Sequence, residues 1–304
     1  LETRLMYVMK ALIISDKRLG HESQSVALCK LKNFDYEIIN VKFKFKILKL
    51  FSYVLDFLKI YIPIFMYEKP KNDKFDFIVS AGSTTYYANK FFAKNFKSKN
   101  IALMMPKGFR KDFYHIFSTK NDAKIKLENM TILPVNINFL EKKEFYSPKS
   151  KSISFIIGGN NKIFEIIPNI LDAIDEIMAK FRGYEVLLTT SPRTPKWLEE
   201  ELKKRNFNFS IIFSENRINP IYDFVTKSEF VFITRDSVSM ISEAVCAGKS
   251  SVYVLPLKKN KNSKFDKFLL NLEKLNLVKI YSPNDAFEKT EKLNLKDVLK
   301  GIIL

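Results

Sequence analysis

Short apolar runs alternate with small polar loops and amphipathic stretches along nearly the whole chain. Tyr7–Ser15 is an apolar run that reads as a buried strand, and the polar loop Asp16–His21 follows it. Glu22–Lys32 then places Val26, Leu28 and Cys29 on a predicted helix. Tyr36–Val41, Phe75–Ser80 and Ile101–Met105 read as further strands, with a helix over Tyr86–Phe96 and short strands at His115–Ser118 and Met130–Leu133. Strand, small-residue loop, helix, strand is the rhythm of a parallel sheet with crossover helices.

Glu141–Ser152 is polar, carries Pro148 and lacks periodicity, which marks a linker. The rhythm then restarts. Strands are expected at Ile153–Ile157, Tyr184–Leu188, Ser210–Phe213, Glu229–Thr234 and Ser251–Leu255. Ile166, Ile167, Ile170, Ile174 and Ile177 recur at helical spacing and predict one long helix over Ile163–Phe181. Further helices are expected at Pro195–Arg205, Ile221–Thr226, Val238–Ala247 and Asp266–Leu275. The pattern predicts an α/β protein of two doubly wound parallel-sheet domains, 1–145 and 146–304, facing a cleft. Ligands of such sheets bind at the carboxyl ends of the strands.

A length of 304 residues suits two domains. Lys and Arg number 51 against 33 Asp and Glu, a net charge of +18. Such a surface attracts nucleic acid, anionic lipid or phosphorylated small molecules. A coding bias toward lysine at solvated positions gives the same figure. No zinc-ligand cluster or stacking motif of the RNA-recognition type is present, so no nucleic-acid partner is expected. Cys29 and Cys246 sit in apolar stretches without a disulfide framework, which fits a reducing cytoplasm. Met6–Ile14 is apolar but short and runs into a polar loop, unlike a secretory signal. The apolar region Ile47–Met66 is interrupted by Lys49, Asp56, Lys59 and Pro63, so it makes a poor spanning helix. Across Lys42–Lys71 lysine alternates with Phe, Leu, Ile and Tyr. That pattern fits a membrane-surface patch, and equally a buried element with a basic outer face.

Candidate chemistry gathers in the loops. In Thr234–Gly248, Asp236 or Ser237 suits an N-cap and Gly248 a left-handed stop. The helix between them offers free amides to an anion, with Ser239, Met240 and Glu243 in its first turns. An ordinary capped helix has the same pattern. Thr190, Ser191 and Arg193 follow a buried strand, and hydroxyls beside a forked cation suit a diphosphate. Gly158-Gly159-Asn160-Asn161-Lys162 lets the backbone approach a ligand closely, or simply turns. Asp16, Gly20, His21 and Glu22 put one of two histidines beside two carboxylates, a setting for general base chemistry. Gly82-Ser83-Thr84 and Met105-Pro106-Lys107 lie at strand ends of the same predicted sheet. No D-x-D pair, Walker loop or Cys/His metal spacing occurs, so no metal or cofactor is expected.

The ordered set SDKRLGHESQS, AGSTT, MMPK, FIIGGNNK, TTSPRTP, ENRINPIY and ITRDSVSMISEAVCAGKSSVYVLPL resembles the family named after the plant mitochondrial-fission "elongated mitochondria" protein. The resemblance spans roughly residues 11 to 275. It implies a GT-B fold of two Rossmann-like domains, with a nucleotide-sugar donor on the C-terminal one. DSVSMISEAVCAG is also similar to the donor helix of the peripheral enzyme that adds N-acetylglucosamine to a lipid-linked peptidoglycan precursor. By that similarity Ser237 and Ser239 meet the diphosphate, Glu243 meets the ribose, and His21 lies near the acceptor. Gly158, Gly159, Asn160, Lys162, Thr190, Ser191, Arg193, Asn219, Asp236 and Met240 complete the expected donor side. Gly20, Gly82, Ser83, Thr84 and Lys107 form the acceptor side, with His21, Glu22 and Asp16 as catalytic candidates. The sequence departs from the family pattern at Gly20, which stands alone before His21. It departs again at Ser83-Thr84-Thr85 in place of Arg-Arg-Thr, and at Met105 in place of Asp.

The expectation is a metal-independent glycosyltransferase acting on a lipid-linked or envelope glycan, placed in the cytoplasm against the inner face of a membrane. A sugar-nucleotide epimerase of the same fold and a non-catalytic membrane scaffold are the alternatives.

Overall fold

A computed structural model describes residues 7–302 except 124 and 285; Met6, at the start of the short apolar run, lies outside the described residues. The chain divides into two compact units. The first takes the chain up to Phe139 and then its last stretch from Leu295 onward; the second is Leu140–Asn294.

The first unit is built from β1 (Lys10–Ser15), α1 (Leu19–Lys32), β2 (Asp35–Lys42), α2 (Lys46–Phe57), β3 (Met66–Tyr67), β4 (Phe77–Ala81), α3 (Tyr86–Phe96), β5 (Lys99–Leu103), β6 (His115–Thr119) and β7 (Met130–Leu133). Its sheet runs β3-β2-β1-β4-β5-β6-β7. All neighbours are parallel except β2 and β3. The chain leaves β1 toward β2 on one side and returns to β4 on the other, so the strand order switches between β1 and β4.

The second unit holds β8 (Ser152–Ile156), β9 (Phe164–Glu165), α4 (Asn169–Lys180), β10 (Glu185–Thr189), α5 (Lys196–Lys203), β11 (Phe209–Ile211), α6 (Ile221–Lys227), β12 (Phe230–Thr234), α7 (Val238–Cys246), β13 (Ser251–Leu255), β14 (Lys258–Lys259), α8 (Lys264–Lys274) and β15 (Lys279–Ile280). Its parallel sheet is ordered β11-β10-β8-β12-β13-β15, and it switches between β8 and β12. Strands β4, β8, β10, β12 and β13 are buried at every position. That explains why they are mostly apolar: crossover helices cover both faces of a parallel sheet. These are the two Rossmann-like α/β halves that the sequence predicts.

Three expectations change. Ile163–Phe181 is not one helix, because β9 pairs with β14 and α4 begins only at Asn169, after Pro168. Asn161 Oδ1 accepts from the amides of Ile163 and Phe164 at 2.7 and 2.9 Å, and Asn160 Oδ1 accepts from Ile166 at 2.7 Å. Pro168 has no amide for a helix to use and its ring would crowd the carbonyl of Phe164, so the helix starts only after it. The expected boundary near 145 lies at 139 instead. Phe145 and Tyr146 amides donate to Asp223 at 2.6 and 3.0 Å, and Lys149 and Ser150 amides donate to Glu185, which ties the polar segment to the second unit. Finally, α9 (Leu295–Lys300) returns to the first unit, where Leu299 is buried among Leu28, Phe34 and Leu133.

Helix α2 is turned inside out. It buries Ser52 and Asp56 beside Leu55 and exposes Ile47, Leu50, Phe51, Val54 and Phe57. A buried ionic cluster explains the orientation. Asp56 accepts from Lys90 Nζ at 2.9 Å and from Tyr61 Oη at 3.0 Å, and it pairs with Arg110 Nε at 2.8 Å. Arg110 also donates to Ser52 Oγ at 2.9 Å and stacks on the Tyr53 ring.

Candidate functional site

In the second unit the site forms where β8 and β12 end side by side. Thr234 Oγ1 accepts from the Gly158 amide at 2.6 Å and donates to Asp236 Oδ1 at 2.7 Å. Asp236 Oδ2 accepts from the Gly159 amide at 3.0 Å and from Arg193 Nη2 at 2.8 Å. A Cβ on Gly158 would lie 2.0 Å from Asp236 Oδ1, and one on Gly159 would lie 1.9 Å from the Arg193 carbonyl oxygen. The paired glycines are therefore required by the protein's own packing. Burial pushes the Asp236 carboxyl up, against the opposing pull of the Gly159 amide, Thr234 and Arg193. Asp236 and Arg193 thus lock three loops together, and part of the Arg193 fork is held by that lock.

Ser237, not Asp236, caps α7; its Oγ accepts from the Met240 amide at 3.4 Å. Gly248 follows the helix at φ +63°, where a Cβ would strike the Val225 carbonyl. Between α7 and the loops after β8, β10 and β11 lies a cavity of about 270 Å³. Met240 and Glu243, one turn apart on α7, face it together with Thr190, Ser191 and Asn219. Thr190 Oγ1 donates to Glu199 at 2.8 Å and accepts from the Phe213 amide at 2.8 Å, so it ties the loop after β10 to the one after β11. Burial pushes the Glu243 carboxyl up to about 7. Ser239 is exposed on α7, and Lys162 is exposed on its loop. Phe213, Arg217 and Ile218 also line the cavity. The motif reading passed over them, although ENRINPIY lies directly after a strand end.

In the first unit the loops after β1 and β4 meet at the other switch point. His21 lies in the first turn of α1, and its Nδ1 is 3.2 Å from both oxygens of Asp16. Thr84 Oγ1 donates to Asp16 from the facing loop. Gly82, at φ +87°, lets this loop close on the imidazole: a Cβ there would lie 2.4 Å from His21 Cε1. Glu22 turns away and accepts from Ser15 Oγ at 2.5 Å. Gly20 has open space around it. Ser83 Oγ accepts from Lys49 Nζ at 3.3 Å, and Lys107 is exposed. The sequence grouped Asp16, His21 and Glu22 in one loop and Gly82 to Thr84 in another; the structure joins Asp16 and His21 to Gly82 and Thr84 and sets Glu22 apart. His115, the second histidine, contacts Thr131 on β7.

The sequence model described as Mitochondrial fission ELM1 matches residues 19–299. The chain belongs to this family. A relative in Rickettsia prowazekii (strain Madrid E), the uncharacterized protein RP120, is 24% identical over 338 aligned residues, covering 95% of this chain and 94% of that protein. Among solved structures, the glycotransferase of kitacinnamycin is similar with a TM-score of 0.54 at 9% identity, covering 90% of this chain and 86% of that one. The calicheamicin glycosyltransferase CalG4 is similar with a TM-score of 0.50 at 9% identity, covering 92% and 87%. At such identities the likeness concerns the fold, which is that of GT-B glycosyltransferases.

In this member of the ELM1 family each unit has its polar cluster at its own topological switch point, where doubly wound sheets hold ligands. The two clusters differ in chemistry. The second unit offers a capped helix start and a carboxyl of raised pKa beside a cavity. The first offers an imidazole whose Nδ1 is engaged by a carboxylate. That arrangement fixes the tautomer and ring orientation, which leaves Nε2 to act on a proton.

Proposed function

We propose that this ELM1-family protein is a glycosyltransferase that moves a sugar from a nucleotide-diphosphate donor to a hydroxyl of a lipid-linked or envelope glycan. The observation that carries this reading is the cavity at the start of α7, with Glu243 and Met240 on its wall. The nucleoside occupies the cavity, with Glu243 accepting hydrogen bonds from ribose hydroxyls. The diphosphate meets the amides and hydroxyls of Ser237 and Ser239, where the helix dipole favours negative charge. His21 Nε2 takes the proton of the attacking hydroxyl while Asp16 stabilises the resulting imidazolium. The acceptor oxygen bonds to the anomeric carbon as the bond from that carbon to the diphosphate oxygen breaks. The nucleoside diphosphate leaves with the electron pair, and its growing charge falls on preorganised donors at α7. No metal has a part in this scheme.

The reading is tested by incubating the purified chain with a panel of nucleotide sugars and an envelope glycolipid extract, and measuring released nucleoside diphosphate. Release that depends on acceptor and disappears in His21→Ala is the expected result. Conversion of the donor to a stereoisomer without acceptor would replace the transferase with an epimerase. No change of any donor would contradict both.

A further inference from the structure

The outward face of α2 and the pocket at its foot, which borders the His21 cluster through Asp16 and Thr84, are not used by the proposed donor site. Ile47, Leu50, Phe51, Val54 and Phe57 recur at helical spacing and are 65%, 65%, 47%, 51% and 66% exposed, which makes a continuous apolar stripe on the surface. Phe109 extends it, packing edge-on to Phe57 at 5.4 Å. A soluble helix normally turns such a stripe inward. Here the Asp56–Arg110–Lys90 cluster holds the polar stripe inside instead.

Beside the first turn of α2 is a pocket of about 230 Å³ between the loops after β1, β2 and β4. Arg18, Lys42, Lys46 and Lys49 line it. Its one carboxylate, Asp16, is already engaged by His21 and Thr84. Lys49 is partly buried, and burial together with the charges of Arg18, Arg110 and Lys107 loosens its proton. Cations from several elements thus converge with too few anions to balance them.

We propose that this region docks on an anionic lipid bilayer, the basic pocket taking a lipid phosphate and the apolar face of α2 entering the acyl boundary. A basic pocket flanking an exposed apolar helix matches the two layers of such a surface. A second copy of the chain is a poor occupant, because each brings a net charge of +18. Among the described residues no helix is long and apolar enough to cross a membrane. This inference does not rest on the donor site, and nucleotide titration of the same preparations separates the two.

The test is co-sedimentation of the full chain with vesicles of phosphatidylcholine alone or with added phosphatidylglycerol. Three variants are compared: Lys46→Ala/Lys49→Ala in the pocket, Leu50→Ser/Val54→Ser on the apolar face, and Lys261→Ala/Lys267→Ala as a charge-matched control in the second unit. The wild type is expected to sediment with the anionic vesicles only. The pocket variant should bind about 25-fold more weakly, at roughly fivefold per lysine near an anionic surface. The apolar variant should bind at least about tenfold more weakly, by the area it withdraws from the bilayer, and the control should match the wild type. All the replaced side chains but Lys49 are exposed, so unchanged thermal melts will show that the variants fold. An equal loss in the control overturns the pocket, and full binding by the apolar variant overturns the helix face. No sedimentation with any vesicle overturns the proposal and leaves α2 to a protein partner.

Discussion

Glu243→Gln isolates what burial does to one carboxyl beside the cavity. In the folded chain that carboxyl is raised from 4.5 to about 7, and burial is the cause. At 1.36 kcal/mol per pH unit the displacement corresponds to roughly 3 kcal/mol, or about 2 kcal/mol once the partly solvated pocket is allowed for. The native state holds this proton more tightly than the unfolded state. Its stability is therefore full below about pH 4.5 and falls as pH rises through 7, where the buried group must ionise. Glutamine has no proton to lose. The variant should match the wild type near pH 4.5 and exceed it by about 2 kcal/mol at pH 8. Urea unfolding is the assay. Two-domain chains need not unfold in one step, but the single Trp of the sequence, Trp197, lies on α5 in the second unit and reports that unit alone. Parallel pH profiles for the two proteins would refute the reasoning, as would a wild type that gains stability between pH 5 and 8 relative to the variant.

Gly82→Ala places a Cβ 2.4 Å from His21 Cε1 at a φ of +87°, so turnover should fall by about 10²-fold or more while nucleotide affinity stays unchanged; a fully active variant argues against His21 as base. Asp56→Ala leaves Arg110 and Lys90 buried beside a missing anion, and should cost on the order of 3–5 kcal/mol in thermal or urea unfolding of the first unit. A loss below about 1 kcal/mol would mean that the cluster does not hold α2. Gly159→Ala forces the loop after β8 away from the Arg193 carbonyl, and should weaken nucleotide binding together with the stability of the second unit, read from Trp197 fluorescence.

The parallel sheets were legible because a strand covered on both faces has few polar positions, and Ser251–Leu255 matches β13 residue for residue. The cap, narrowed to Asp236 or Ser237, and the stop at Gly248 were legible for local reasons: an oxygen for an open amide, and a residue free to take positive φ. What escaped depends on contacts distant in sequence. Ile163–Phe181 has a helical period, yet its start is drawn into a strand by pairing with Lys258–Lys259, far along the chain. For α2 the sequence left an exposed apolar patch and a buried face equally open, and only Lys90 and Arg110, far along the chain, show why the Ser52 and Asp56 side is inside. The pairing of Arg193 with Asp236 was hidden by the same separation in sequence. The same distance hid the return of α9 to the first unit, since nothing near Leu299 names Leu28 or Leu133 as its neighbours.

The central claim is that the cavity beside α7 holds a nucleotide, and calorimetric titration of the intact chain with UDP, GDP, ADP and CMP addresses it most directly. One of these should bind with one-to-one stoichiometry, and Glu243→Ala should weaken that binding by about tenfold or more, the loss of its hydrogen bonds to the ribose. Failure of every nucleotide to bind, or an affinity that Glu243→Ala leaves untouched, would contradict the account.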